Sequence, residues 1–166
     1  MTIIVEDGTG LVSAESYLSI NDFKTYHEDR GNEVTLNDGE LEKILRIATE
    51  YIDLRFGLKF PGNLVNVDQA LCFPRDYYGE LIPLGIERAT AEYGFYQITS
   101  PLFITPDIDL GIGIKRKLES VGPIIEETEY SGSGAGGTGA RRYAIVPKAD
   151  MWINRYVLGG VGGVSR

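Results

Sequence analysis

A single histidine, His27, and a single cysteine, Cys72, stand among the 166 residues. Ser–His and Cys–His nucleophile pairs and histidine-based metal sites need partners that such counts do not supply. One cysteine also excludes an internal disulfide and a multi-cysteine metal site. His27 lies beside Glu28 on a predicted helix, where a solvated ring is expected. Cys72 sits in the apolar stretch Ala70-Leu-Cys-Phe73, which favours a small buried side chain. Gly132-Ser-Gly-Ala-Gly-Gly137 matches G-x-G-x-x-G in form only. It opens no helix whose N-terminus could hold a pyrophosphate, and it reads as a loop. The acidic groups Glu6-Asp7, Glu28-Asp29 and Glu126-Glu127-Glu129 lack the alternating spacing of a calcium loop, so solvated charge is the expectation. Tyr77-Tyr78 beside Arg75 could stack on a base, but packing or a protein contact is the preferred reading. These residues assemble no catalytic constellation, and neither an enzyme nor a bound cofactor or metal is expected.

The elements that hold these residues are mostly helices. Ser19 caps a helix over 19–31 that shares Ile20, Phe23 and Tyr26 on one face and stops at Gly31. Asn37, with Glu40 three residues on, opens a long helix over 38–56. Leu41, Ile44, Leu45, Ala48, Tyr51 and Ile52 form its buried stripe, and Gly57 ends it. A third helix runs over roughly 84–99, with Ile82, Ile86, Ala89, Tyr93 and Tyr96 as its buried stripe and Pro83 near its start. The period changes to two over 112–130, where Val121-Gly122-Pro123 divides a basic strand from an acidic one. That pattern predicts a β-hairpin supported by cross-strand charge. A last helix of about 147–158 starts at Pro147 and buries Trp152, Ile153, Tyr156 and Val157. Between the loops, Asp7-Gly8-Thr9-Gly10 suits a tight turn with positive φ. Phe73-Pro74 enforces an extended segment, with Asp53 and Arg75 as a candidate ion pair at the core edge. The fold class is mainly α (α+β): a small antiparallel helical bundle with a β-hairpin and an extended C-terminal tail. The organisation is a helical domain over 1–130 with its hairpin at 112–130, a glycine-rich loop at 131–140, and a C-terminal helix and tail at 147–166.

Composition agrees with a globular chain, with hydrophobic residues at 43% and charged residues at 24%. No apolar run approaches the ~20 residues of a membrane span. The opening Met-Thr-Ile-Ile-Val-Glu-Asp lacks the basic n-region of a signal peptide. The net charge of −8 is unevenly spread: 19 acids and 8 bases in residues 1–110, then 5 acids and 8 bases in 111–166. Such a chain is repelled by phosphates unless its bases are segregated, so negligible affinity for DNA at physiological salt is expected. Assemblies often use complementary patches of this kind.

Four blocks carry a family resemblance: Val5-Glu-Asp-Gly-Thr-Gly-Leu-Val-Ser-Ala-Glu-Ser-Tyr-Leu-Ser19, Ala48-Thr-Glu-Tyr-Ile-Asp-Leu-Arg55, Gln69-Ala-Leu-Cys-Phe-Pro-Arg75 and Glu119-Ser-Val-Gly-Pro-Ile124. Over roughly residues 3–125 the chain resembles a group of small tailed-phage proteins. They go under two names, head–tail connector or adaptor proteins and DnaT-like single-stranded DNA-binding proteins. The first name implies a structural virion protein of the neck, assembled in the host cytoplasm. Its subunits would form a dodecameric ring beneath the portal protein and meet a tail or tail-terminator protein, with no membrane involved. DNA would pass through the acidic channel without specific binding. The second name implies a single-stranded DNA-binding module, for which Lys115-Arg116-Lys117 and Arg141-Arg142-Tyr143 are the only basic segments.

On the ring reading, the hairpin is the expected subunit interface, with Lys115, Arg116 and Lys117 facing Glu126, Glu127 and Glu129 of the same or the next subunit. The portal-docking surface would be Trp152, Arg155, Leu158, Val161, Val164 and Arg166. There the tail alternates glycine pairs with single apolar residues that could enter successive pockets.

Overall fold

Local signals place the starts of the first three helices where the sequence predicts them, whereas the first helix ends at Glu28, short of the expected stop at Gly31. In the computed structural model, which describes residues 3–79, 81–103, 117–121, 124–128 and 143–158, α1 spans Ile20–Glu28. The Ser19 side chain accepts the Asp22 N–H at its start (3.1 Å). Helix α2 spans Asp38–Phe56 behind a complete capping box. Asn37 Oδ1 accepts the Glu40 N–H (3.0 Å), and Glu40 Oε2 accepts the Asn37 N–H (3.2 Å). Two donors at the helix start are thereby satisfied. Helix α3 spans Leu84–Thr99 after Pro83, which cannot itself donate to a preceding turn. Short 3-10 turns, Gly57–Lys59 and Asp76–Tyr78, flank an irregular stretch.

The chain falls into two compact units, residues 1–102 with 145–166, and residues 103–144. In the first, α3 packs on both α2 and α4 (Pro147–Ile153), and α1 packs on both α2 and α3. Phe23, Leu41, Leu45, Tyr51, Ile52, Phe73, Ile86, Tyr93 and Ile153 are fully buried in its core. Ile44, expected in the stripe, is only half-buried. It lies where α2 faces the helical Gly94, at the edge of that contact. The second unit contains β1 (Lys117–Val121) paired antiparallel with β2 (Ile124–Thr128), and an antiparallel bridge between Phe103 and Tyr143.

The final helix is shorter than its sequence pattern. Helix α4 spans Pro147–Ile153 rather than 147–158. Beyond it the chain turns: the Tyr156 N–H bonds Ile153 O (2.8 Å) and the Leu158 N–H bonds Lys59 O (2.9 Å). That turn lays the Tyr156 ring over Gly85, where a Cβ would come within 2.4 Å of the ring. The close approach needs the missing side chain.

Buried polar residues depart from the sequence reading at three places. His27 is not solvated; it is fully buried. The α1 face that carries Phe23 also carries His27, so the ring stacks on Phe95 (4.5 Å) and meets Phe23 edge-on (4.7 Å). Glu6 is likewise buried, because its carboxylate gathers the N–H groups of Gly8, Gly10 and Leu11 (2.9–3.1 Å). The turn it closes has the expected positive φ, 97° at Gly8 and 79° at Gly10. Asp53 and Arg75 hold Cys72 from its two backbone ends instead of pairing. Asp53 accepts the Cys72 N–H (3.0 Å), and the Arg75 guanidinium donates to Cys72 O (2.9 Å) and Phe60 O (2.9 Å). Cys72 is half-buried, and burial, reinforced by Asp53, pushes its thiol up to about 12. The Phe73–Pro74 bond is cis, and Arg75 is extended, bridging to Leu64.

Candidate nucleic-acid interface

Most cations of the helical unit are already engaged. Lys24 pairs with Asp38 (2.7 Å), Arg46 with Glu15 (3.0 Å) and Glu42 (3.4 Å), Arg55 with Asp150 (2.8 Å), and Lys148 with Glu92 (2.5 Å). Arg30 lies over the Tyr26 ring and donates to Tyr26 O (2.6 Å). Arg75 is spent on backbone carbonyls. Arg88 on α3 and Arg155 after α4 differ. Among the described residues neither makes an ion pair or a hydrogen bond; both guanidiniums lie over the Trp152 ring, at 4.7 and 4.5 Å from its centroid.

A guanidinium held against an indole is oriented by the ring while its in-plane N–H edge stays open. That edge matches the oxygens of a phosphate in a two-point contact. The cluster continues along the surface. Tyr156 follows Arg155 and meets Tyr78 edge-on (5.5 Å), and Tyr78 Oη donates to Tyr156 O (2.9 Å). Tyr78 in turn meets Tyr77 (5.0 Å), whose side chain is 69% exposed. The result is a strip that runs Arg88, Trp152, Arg155, Tyr156, Tyr78, Tyr77. Interleaved guanidiniums and aromatic rings are the composition that single-strand binding requires.

On another side of Arg88 lies a groove of about 610 Å³ with the opposite character. Glu6, Asp22, Asp29 and Glu87 line it against Arg30 and Arg88. Burial, and the nearby Asp22, hold the Glu87 carboxyl above the usual range despite Arg88. Phosphates would be repelled there, so the acidic groove bounds the strip on that side. Among the described residues, no cluster of three or more histidine, cysteine or acidic side chains could hold a metal.

The expected site residues divide. Trp152 and Arg155 belong to the strip, and Leu158, 71% exposed, lies close by in sequence. Val161, Val164 and Arg166 lie outside the described residues, as do Lys115, Arg116, Glu129 and the G-x-G-x-x-G segment. Lys117, Glu126 and Glu127 are placed only by strand register. Lys117 is opposite Thr128, Leu118 opposite Glu127 and Glu119 opposite Glu126. Among the described strand positions, no directly opposed pair joins unlike charges. A two-residue connection fixes that register whatever the charges prefer. Arg88 was not foreseen, because nothing local links it to Trp152; their meeting depends on how α4 lands on α3. Tyr77-Tyr78 was foreseen as a stacking element, though without these neighbours.

No curated protein and no solved structure matches the chain. A family model does match, over residues 1–165, and on that match the chain belongs to the family described as "Putative DnaT-like ssDNA binding protein".

Proposed function

We propose that this protein binds single-stranded DNA along the strip from Arg88 to Tyr77. The observation that carries the reading is the pair of otherwise unpartnered guanidiniums, Arg88 and Arg155, laid on Trp152 in a unit whose other cations are mostly engaged. Arg88 and Arg155 take phosphates, and Tyr77 offers its exposed ring to a base. The family description names the same class of ligand. With so few phosphate contacts on a chain of net charge −8, binding is weak and strongly salt-dependent. Fluorescence anisotropy with a labelled oligothymidine at low salt tests this. Replacing Arg88 and Arg155 together by Ala is expected to lower affinity at least about tenfold and to flatten the log–log salt slope by about 1–1.5. Tyr77→Ala should weaken binding with the salt slope unchanged. Equal affinity of wild type and the double variant would overturn the assignment.

A second reading, the head–tail adaptor, is favoured by the charge of the helical unit. Residues 1–102 and 145–166 carry 18 acids against 11 bases. A ring of such subunits would present a lumen that does not grip phosphates, with hairpins between subunits and the C-terminal segment toward the portal. Copurification with a portal protein, together with failure to retain any oligonucleotide at low salt, would favour this second reading over the first.

A further inference from the structure

Helix α4 is seven residues long, too short to persist alone, and it buries Ala149 and Ile153 in the core. Its place is therefore set by the partners of its side chains. Three contacts step along α3 in register: Tyr156 over Gly85, Trp152 under the Arg88 guanidinium (4.7 Å) and Lys148 on Glu92 (2.5 Å). One number rises as the other falls, so residues 148–156 run antiparallel to α3. Glu92 is itself held, since its Oε1 also accepts from Tyr26 Oη on α1 (2.6 Å). Asp150 stands between Lys148 and Trp152 in the chain and so leaves the helix in a different direction from both. It takes both prongs of Arg55 on α2, Nη1 on Oδ1 (2.8 Å) and Nη2 on Oδ2 (3.0 Å), and Oδ1 also accepts from Tyr93 Oη on α3. Arg55 Nη1 in turn donates to Tyr51 Oη (2.6 Å).

We infer that Asp150 is a positioning residue of the strip: it fixes the roll of α4, and through it the seat of Trp152 between the Arg88 and Arg155 guanidiniums. Contacts strung along one line set where a helix lies lengthwise but leave it free to turn about that line. A contact that leaves in another direction removes the freedom. The Arg55–Asp150 fork suits this task, because two parallel N–H···O bonds fix orientation as well as distance. Both side chains are largely withdrawn from water, at 20% and 15% exposure. Burial, reinforced by Asp150, holds the Tyr93 hydroxyl well above its usual range, so the third donor keeps its proton. A slip of α4 by one residue would swing its side chains by about 100° and carry Trp152 out from under Arg88. An acid two residues from the indole, touching neither guanidinium of the strip, thus decides whether the strip forms. The seat of Trp152 does not depend on the DNA reading; the effect on oligonucleotide affinity rests on it.

Asp150→Asn in the full chain tests it. The amide keeps the volume of the carboxylate but turns one acceptor into a donor. Trp152 is the only tryptophan, so its fluorescence reports the seat directly. Well below the variant's melting temperature, with far-UV ellipticity retained, the emission is expected to shift to the red and quenching by acrylamide to rise. Oligothymidine affinity at low salt should fall at least about fivefold as the two guanidiniums lose their common seat. That fall runs against net charge, since the substitution removes an acid. Tyr93→Phe removes one of the three donors without changing charge; it should move both readouts the same way by less, and it serves where Asp150→Asn does not fold. Unchanged Trp152 emission and quenching in a folded Asp150→Asn variant would overturn the inference. So would loss of all helical signal in both variants, which would make the carboxylate a support of the whole unit and not of the strip. A Trp152 shift with oligothymidine affinity undiminished would uphold the inference and overturn the DNA reading instead.

Discussion

His27 shows how far a single side chain depends on what lies beneath it. Its Nε2–H donates to Ala91 O (3.1 Å), and Nδ1 accepts from the Asn32 amide (3.3 Å), so the ring is neutral and saturated. Burial among Phe23, Tyr26 and Phe95 lowers its pKa below the usual 6.5. The unfolded chain therefore takes up this proton more readily than the folded one. The stability that His27 contributes is whole above about pH 6.5 and is lost as pH falls below it. Asp53 runs the other way. Burial raises its carboxyl to about 6, so its ionisation costs stability at neutral pH and the cost disappears as pH falls through that value. Comparing wild type with His27→Phe cancels Asp53, which both carry. Urea denaturation at about pH 7.5 and about pH 5 should show wild type losing more stability on acidification than the variant. Equal losses would mean that His27 titrates alike in both states. The sequence placed His27 on the surface because Glu28 follows it, but a neighbour in sequence says little about direction on a helix. The ring points with Phe23, four residues back.

At the scale of elements, caps and periodicity were reliable where they were redundant. Helix α2 was legible to the residue because a capping box and a three-and-four stripe agree on its start and its inner face. Its stripe still had an edge that spacing could not reveal. Ile52 is fully buried and Ile44 only half-buried. Ile52→Ala should cost about 2–5 kcal/mol and Ile44→Ala less than about 2, read from urea denaturation midpoints. Equal costs would show that Ile44 packs as deeply as Ile52. Helix α4 was over-read for a physical reason. Trp152, Ile153, Tyr156 and Val157 keep helical spacing, but Tyr156 is drawn out of line by the space above Gly85. That is a tertiary contact, and no property of residues 147–158 encodes it.

For the whole molecule, net charge says little about where individual cations lie. A chain at −8 argues against DNA as an average over its surface, yet acids, carbonyls and rings inside the helical unit engage most of its cations, and two guanidiniums lie together on an aromatic strip. Tyr77, Tyr78, Trp152 and Arg155 were each visible in the sequence as unusual, whereas their adjacency was not. It arises because the chain after α4 returns across α3 to the 3-10 turn at Asp76–Tyr78. Half of the strip is written in one part of the chain and half some seventy residues later, beyond the reach of any local pattern.

The small bridge between Phe103 and Tyr143 has a consequence for how such a chain can change over time. Leu102 and Ile145, the residues that bound this stretch on either side, both belong to the helical unit, and Leu102 is fully buried there. The bridge holds Phe103 and Tyr143, the two ends of the stretch between them, side by side. A segment whose two ends are held together can act as an exchangeable cassette, since the length of such a segment enters the energetics of its host through the weak logarithm of loop closure. Descendants could refit residues 104–142 to new partners without renegotiating the core. Replacing those residues by a short glycine–serine bridge should leave the melting temperature of the helical unit within about 5 °C. A collapse of the cooperative transition would mean instead that the cassette and the core evolve as one.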